Sequence, residues 1–247
     1  MLVLGSGVVM GALINPPASL RSGDGKRRAF GLGSRPLKEG ELVSPRPRPP
    51  VQPEVPGLVE LPPGKIAAVA TYLEMHARPE PKGGAPELPL SLEPLAGDLA
   101  RYRRLFADVG LPWLWFSRAN KTDGQLQAII DHPAVEALAL VEAGRDIGLL
   151  ELDFRQSGEC ELAFFGLVPD VIGRGLGRSL AAEGIRRAFS RPIKRLWLHT
   201  CTLDHPSALA FYMSVGFKPY RRALEVADDP RLTGRLPRDA APSVPII

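Results

Sequence analysis

The sequence contains few of the residues that build disulfide scaffolds, metal sites and membrane spans. Its two cysteines, Cys160 and Cys201, are too few for a disulfide framework, and both lie in apolar stretches typical of core strands in a reduced interior. The four histidines are scattered, so the chain offers no metal-ligand spacing. No apolar run approaches the ~18 to 20 residues of a membrane span. We therefore expect a cytoplasmic protein that binds neither metal nor membrane.

The excess of positive charge is small and uneven. The chain of 247 residues has a net charge of +4, and residues 1–64 hold eight Lys and Arg against five Asp and Glu. The remaining 183 residues therefore carry only about one net positive charge. The isoelectric point near 9.3 describes this N-terminal part, so we expect no nucleic-acid partner.

Residues 1–64 differ in composition from the rest of the chain. They hold 11 of the 26 prolines, together with glycine, serine and basic clusters. Such a segment cannot bury enough apolar surface to offset its ordering entropy, so we predict a disordered extension. The apolar stretch from Met1 to Ile14 leaves a signal peptide as the less favoured alternative, because no basic segment precedes it and no cleavage site follows cleanly.

A strand, a glycine loop and a helix follow one another from residue 159 onward. The stretch from Glu161 to Val168 is rich in aromatic and branched side chains, and Pro169 ends it because proline cannot donate a ladder hydrogen bond. Gly173, Gly175 and Gly177 then alternate with larger residues, and the apolar positions that follow recur at helical spacing. Backbone N–H groups exposed at the start of a helix favour an anion, and we expect a phosphate group here.

The glycine spacing excludes two common phosphate sites. A dinucleotide fold requires G-x-G-x-x-G, whereas the third glycine here follows after one residue. A nucleotide P-loop requires Gly-Lys-Ser/Thr, whereas Gly177 is followed by Arg178 and Ser179. Neither motif is met.

The loop resembles the acetyl-coenzyme A loop of the GNAT N-acetyltransferases, in which Gln or Arg is followed by two residues, Gly, one residue and Gly or Ala. Gly175 and Gly177 match its glycines, whereas Ile172 stands where Gln or Arg is expected. This departure removes one side-chain donor. The family's second landmark is Ala, two residues, Leu or Phe, Tyr, three residues and Gly-Phe, and it is matched in order by Ala208, Phe211, Tyr212, Gly216 and Phe217.

The resemblance implies a GNAT domain over residues 65–226, followed by a flexible C-terminal tail over 227–247. The fold would be α/β (α+β), with a mixed central sheet splayed around the cofactor and flanked by helices. Asp98 and Thr122 are expected to cap the first two helices, and Leu90 to Pro94 either extends the first strand or pairs separately. The predicted strands and later helices begin near Lys65, Val135, Asp146, Glu159, Leu176, Leu196 and Ser207, and a final strand follows.

The resemblance also implies acetyl-CoA as co-substrate. In the family the pantetheine arm lies along the strand that precedes the loop, and the pyrophosphate lies on the loop amides. The implied cofactor contacts are the main-chain groups of Phe165, Gly166 and Leu167 and the loop residues Gly173, Arg174, Gly175, Leu176, Gly177 and Arg178.

Three residues are candidates for the chemistry of amine acetylation. Tyr212 matches the family tyrosine that protonates the leaving sulfur, although it could be an ordinary core aromatic. Glu161 lies at the offset of the glutamate base in the histone-modifying branch, and strand alternation predicts that it shares a face with Phe165 and Leu167. A solvated strand-edge glutamate is the alternative. His199 is the rival base, or a satisfied core histidine.

The link between the first two helices is unusually aromatic. It contains Trp113, Trp115 and Arg118, and in GNAT folds this link borders the acceptor pocket. These residues could therefore contact the substrate, or the rings could simply close the core. The predicted activity is acetyl transfer to a primary amine, on a small molecule or a peptide, by a monomer or a homodimer. A non-catalytic coenzyme A-binding regulatory module is the alternative.

Overall fold

The computed structural model describes residues 3–4, 57–80 and 88–247 of the chain. The chain divides into two compact units, of which the first comprises Met1–Val9 and Leu61–Ile247 and contains all the described helices and strands. Most of the extension predicted for residues 1–64 lies outside the described residues. None of the described helices is both long and apolar enough to cross a membrane.

The order of elements is the one the sequence predicts from residue 65 onward: a strand, two helices, three strands, a helix, a strand, a helix and a strand, with one short strand inserted after the first. The elements are β1 Val3–Leu4, β2 Lys65–Met75, β3 Ser91–Pro94, α1 Leu99–Gly110, α2 Asp123–Ile130, β4 Val135–Glu142, β5 Arg145–Asp153, β6 Glu159–Leu167, α3 Leu176–Ala188, β7 Arg195–Cys201, α4 Ala208–Ser214 and β8 Lys218–Asp228.

Side-chain caps begin the first two helices as predicted. Asp98 accepts a hydrogen bond from the Arg101 N–H at 2.9 Å at the start of α1. Thr122 and Gln125 form a capping box at the start of α2, in which each side chain accepts from the other residue's backbone. Each cap satisfies N–H groups that the first helical turn leaves without a partner.

The sheet has the order β3-β4-β5-β6-β7-β2-β8, and β6 and β7 form its parallel pair. Their pairing runs only from Glu159–Arg195 to Glu161–Trp197, so the two strands separate beyond Glu161. On the edge that β7 leaves, β1 pairs antiparallel with Phe165 and Gly166. The predicted mixed, splayed sheet is confirmed. Leu90 to Pro94 pairs separately, since β3 joins β4.

A β-bulge in β6 corrects one prediction about side-chain direction. Leu152 pairs with Leu162 but Glu151 pairs with Phe164, so β6 carries one extra residue between them. An extra residue reverses the alternation of faces. Glu161 therefore lies on the same face as Phe164, and the prediction that it shares a face with Phe165 is wrong.

The main core lies between the sheet and its helices, and the C-terminal residues close a smaller second cluster. In that cluster Leu236, Ala240 and Ala241 pack against Ile66 and Leu114. The segment expected to be a flexible tail is thus partly buried.

An ion pair anchors this C-terminal segment. Arg231 is only 5% exposed, pairs with Asp229 at 2.7 Å and donates to the Val244 carbonyl at 2.8 Å. The packed part of the chain therefore extends beyond the expected boundary at Val226.

Candidate active site

The glycine loop between β6 and α3 leaves several backbone N–H groups available. Gly173 and Gly175 have φ of +93° and +83°, a region that L side chains rarely adopt. Within the described residues, the N–H groups of Gly173, Gly175, Leu176 and Gly177 donate no hydrogen bond. They lie at the positive end of the α3 dipole, so the loop can hold an anion such as a pyrophosphate.

The basic side chains of the loop have different surroundings. Arg174 forms a two-pronged ion pair with Glu142, and the hydrogen bond from Arg174 lowers the pKa of that carboxyl. Neighbouring Arg145 pairs with Asp170 at 2.6 Å. Arg178 is exposed on the first turn of α3. Arg174 is therefore partly neutralised, and the loop amides are the stronger candidates for anion binding.

The edge of β6 from which β7 diverges joins this loop to the centre of the sheet. Phe165 and Leu167 have buried side chains, but the backbone edge beside them lies where β7 has diverged. The antiparallel pairing of β1 with Phe165 and Gly166 shows that this edge accepts an extended segment. The predicted pantetheine contacts at residues 165–167 thus have main-chain groups on the edge that β7 leaves and that β1 occupies at Phe165 and Gly166.

Tyr212 lies beside the same part of β6. Its ring packs edge-on against Phe165 at 6.2 Å, Phe211 at 5.6 Å and Phe217 at 6.0 Å. The side chain is fully buried, yet its hydroxyl makes no hydrogen bond with any part of the chain that the structure describes. Burial, and then the nearby Asp204 carboxylate, raise the pKa of Tyr212 well above its ordinary value. The phenol therefore remains protonated and can act as a proton donor.

Glu161 and His199 face each other where β6 and β7 separate. Glu161 Oε1 lies 3.9 Å from His199 Nδ1, and the Glu161 side chain is 29% exposed. Burial and the neighbouring Asp153 raise the pKa of Glu161 to about 7, while Arg118 opposes the shift. A carboxylate with a pKa near neutrality can both accept and release a proton at physiological pH. The structure thus brings the two predicted bases together.

A buried ion pair that the sequence analysis did not identify lies on the Glu161 side of the sheet. Glu151 is completely buried, accepts a hydrogen bond from the Tyr102 hydroxyl at 2.5 Å and pairs with Arg118 at 2.5 Å. The Arg118 guanidinium also stacks over the Phe164 ring at 4.8 Å. The sequence signal was present, because Glu151 and Asp153 interrupt an otherwise apolar strand.

The three predicted acceptor residues have different environments. Trp115 is buried, packs on Phe106 and Phe164, and donates to Asp204 at 3.3 Å. Trp113 is half-buried against His205, with ring centroids 5.0 Å apart. A cavity of about 280 Å³ beside α1 is lined by Trp115 and Arg118, with Arg235 of the C-terminal segment on another wall.

No cluster suited to a metal ion occurs in the described ranges. Within 57–80 and 88–247, no group of three or more His, Cys, Asp and Glu side chains converges. The two cysteines are free, and burial raises the pKa of Cys201 to about 12. Neither thiol is suited to act as a nucleophile at neutral pH.

Residues 103–217 match the acetyltransferase (GNAT) family. The matched segment contains the glycine loop, both candidate bases and Tyr212. A comparison with curated proteins finds no match.

Three solved structures are similar to this chain, and the first of them supports the assignment of the fold. A GCN5-related N-acetyltransferase from Sphaerobacter thermophilus aligns with a TM-score of 0.50 and 18% identity, over 66% of this chain and 52% of that one. A GNAT-family acetyltransferase from Novosphingobium aromaticivorans aligns with a TM-score of 0.45 and 19% identity, over 68% of each chain. A GCN5-related N-acetyltransferase from Kribbella flavida gives 0.43 and 17%, over 69% and 63%.

The chain thus spans about half to two thirds of the length of these solved proteins. At such identities the likeness concerns the fold. Residues 103–217, slightly less than half of the chain, are similar to the GNAT acetyltransferases, a family whose general reaction is acetyl transfer from acetyl-CoA.

Proposed function

We propose that this protein is an N-acetyltransferase that transfers an acetyl group from acetyl-CoA to a primary amine. The observation that carries the proposal is the buried Tyr212 hydroxyl, which has no hydrogen-bond partner among the described residues and whose ring packs against Phe165 of β6. A buried polar atom without a partner is costly unless a ligand completes it. A leaving thiolate is such a ligand, because it requires a proton.

The loop and the strand edge would hold the co-substrate. The free N–H groups between Gly173 and Gly177 fit a pyrophosphate, and the main chain of Phe165, Gly166 and Leu167 fits the amides of a pantetheine arm. A Cβ built at Gly173 or Gly175 meets nothing within 4 Å, so the loop surface is open to a ligand. Acetyl-CoA would supply the activated acyl group, and the loop and the strand edge would hold it in position.

Glu161 would act as the general base toward the acceptor amine. Its pKa of about 7 makes it half ionised near neutral pH, and the 3.9 Å between Glu161 and His199 supports His199 as the alternative base. Deprotonation matters because a primary alkyl amine has a pKa of about 10.4 and arrives protonated. Tyr212, whose raised pKa keeps its proton, would supply the acid.

The surroundings of Glu161 favour a cationic acceptor. Asp153 pairs with Glu161 across β5 and β6, so two carboxylates lie side by side. Arg155 pairs with Asp153, and Arg118 is held by the buried Glu151. Because Arg118 already has a carboxylate partner, we propose that it positions the loop at the acceptor site and does not bind an anionic acceptor group.

The test combines binding with turnover. Calorimetry with CoA and a thiol-release assay with acetyl-CoA, run against a polyamine, an α-amino peptide and a lysine peptide, should show binding and amine-dependent thiol release. Failure to bind CoA would overturn the assignment of the loop. Binding without thiol release for any amine class would favour the non-catalytic CoA-binding module.

A further inference from the structure

The last strand of the sheet, β8, is long and exposed. It runs from Lys218 to Asp228 and pairs along one side with β2. Within the described part of the chain, no strand pairs with its other side. Tyr220, Leu224 and Val226 are 44%, 54% and 49% exposed. An edge strand of this length presents a row of backbone N–H and C=O groups that can pair with another strand.

The protection usual for such an edge is weak here. Natural edge strands avoid association by being short, or through bulges, prolines and lysines. In β8, Lys218 and Pro219 lie at the beginning of the strand and the pairing with β2 shifts register at Tyr220, whereas the residues from Arg221 onward carry no such feature. The regular edge is therefore available from Arg221 to Asp228.

The charges along β8 are arranged symmetrically about its centre. Lys218 and Arg221 precede Ala223, whereas Glu225 and Asp228 follow it at the mirrored positions. When two copies run antiparallel about a twofold axis at Ala223, each Arg221 lies opposite a Glu225. The register shift at Tyr220 moves Lys218 away from the mirrored position, and Asp228 already pairs with Lys65. Opposite charges in directly facing positions stabilise a strand pair.

Other registers lose this match. Along an edge strand, every second residue directs its backbone N–H and C=O groups outward, and in an antiparallel pair these residues face one another. The twofold axis therefore passes through a residue and not between two residues. Alternative registers move the axis by whole residues. An axis at Arg222 would place the two Arg222 side chains opposite each other. An axis at Leu224 would leave no pair of opposite charges.

The two central charges lack partners of opposite sign within the described residues. Arg221 lies over the Tyr72 ring at 3.8 Å and pairs with no carboxylate there. Glu225 is half-buried beside Trp113 and Phe116, has no ion pair in the same ranges, and burial raises its pKa. A half-buried carboxylate without a counter-charge is unfavourable. Pairing of Arg221 of one copy with Glu225 of the other would give both side chains a partner of opposite charge.

We propose that two copies of this chain associate through β8, antiparallel about a twofold axis at Ala223, so that one sheet continues across the dimer. The interface is isologous, which is the usual arrangement of homodimers. The proposal is independent of the acetyltransferase activity.

A charge exchange tests the register. Sedimentation of the full chain should give a concentration-dependent dimer. Arg221→Glu and Glu225→Arg should each weaken dimerisation at least about tenfold, because each places like charges opposite one another twice. The double variant should return to within about threefold of the wild type. Arg104→Glu, the same charge change on α1, is the control, and circular dichroism checks the fold of each variant.

A cysteine on the axis provides an independent test. Ala223→Cys should form a covalent dimer under oxidation, since facing residues of an antiparallel pair lie within the Cα separation of a disulfide. Lys218→Cys should not, because its two copies would lie roughly 34 Å apart. A monomeric wild type at all concentrations, a dimer indifferent to both single charge variants, or equal crosslinking by both cysteines would overturn the proposal.

Discussion

Glu161 Oε1 and His199 Nδ1 lie 3.9 Å apart, on the two strands whose separation opens the sheet. The last paired residues of β6 and β7 are Glu161 and Trp197, so this contact marks the point where the opening begins. Two proton acceptors at one position can exchange roles, and the dependence of the rate on pH distinguishes them.

Replacement of Glu161 should affect the rate in a pH-dependent way. The base must be ionised, so kcat/KM of the wild type should rise as the pH passes the Glu161 pKa of about 7. Glu161→Gln should lower kcat/KM by about 10²- to 10⁴-fold at pH 7, with partial recovery at high pH as the amine deprotonates unaided. Steady-state kinetics from pH 6 to 10 measure this. A wild-type profile in Glu161→Gln, with the loss appearing in His199→Ala, would move the base to β7.

Replacement of Tyr212 should affect the rate at every pH below its own titration. Tyr212→Phe removes the hydroxyl and keeps the packing on Phe165 and Phe217. We expect kcat to fall by about 10²- to 10⁴-fold, the usual contribution of a general acid, with the CoA dissociation constant nearly unchanged. Parallel calorimetry and kinetics measure both. A strongly weakened CoA affinity with normal kcat would show that the hydroxyl binds and does not donate the proton.

The loop amides should carry most of the CoA affinity. Gly175→Val should abolish detectable CoA binding, because a branched side chain would cover the amides and strain a φ of +83°. Gly158→Val, at φ of +74° in the turn before β6, imposes comparable strain away from the loop and is the matched control. Arg174→Ala should cost about 1 to 3 kcal/mol at most, since Arg174 is already paired with Glu142. Equal CoA binding by Gly175→Val and the wild type would exclude the loop as the phosphate site.

Deletion of residues 1–9 should strengthen CoA binding. β1 pairs with Phe165 and Gly166 on the edge assigned to pantetheine, so the two would compete. Loss of this short pairing should make the free energy of CoA binding more favourable by about 1 kcal/mol. This change corresponds to a roughly fivefold lower CoA dissociation constant. Calorimetry on the full and shortened chains measures the difference. Unchanged affinity would show that β1 does not compete, and a large fall in melting temperature would show that it is needed for the fold.

The Arg118–Glu151 pair should matter for stability. Arg118→Met leaves Glu151 charged and buried without its ionic partner, which should lower the free energy of unfolding by about 3 to 5 kcal/mol. Arg118→Met combined with Glu151→Leu should be less destabilising than the single change, because the charge is removed with its partner. Urea unfolding measures both. A small effect of Arg118→Met would show that Glu151 reaches water at little cost.

Local patterns in the sequence were sufficient for much of the fold. Asp98 and Thr122 cap their helices because a capping side chain bonds to an amide only three residues away. The positive φ of Gly173 and Gly175 is likewise a property of the loop itself. The order of strands and helices therefore followed from hydrophobic periodicity and from the glycines, prolines and capping residues between the elements. The family resemblance predicted the splayed sheet.

Contacts between residues distant in the chain were decided only by the tertiary structure. The bulge in β6 reverses the side on which Glu161 points, and it depends on pairing with β5. Arg118 and Glu151 are 33 residues apart, and nothing in their local sequence indicates that they meet. The hydrogen bond from Arg231 to the Val244 carbonyl is likewise a contact that the local sequence does not indicate. The sequence by itself determined local conformation through short-range hydrogen bonds and φ preferences, whereas the tertiary structure determined which charges are buried together, because burial depends on the packing of the whole domain.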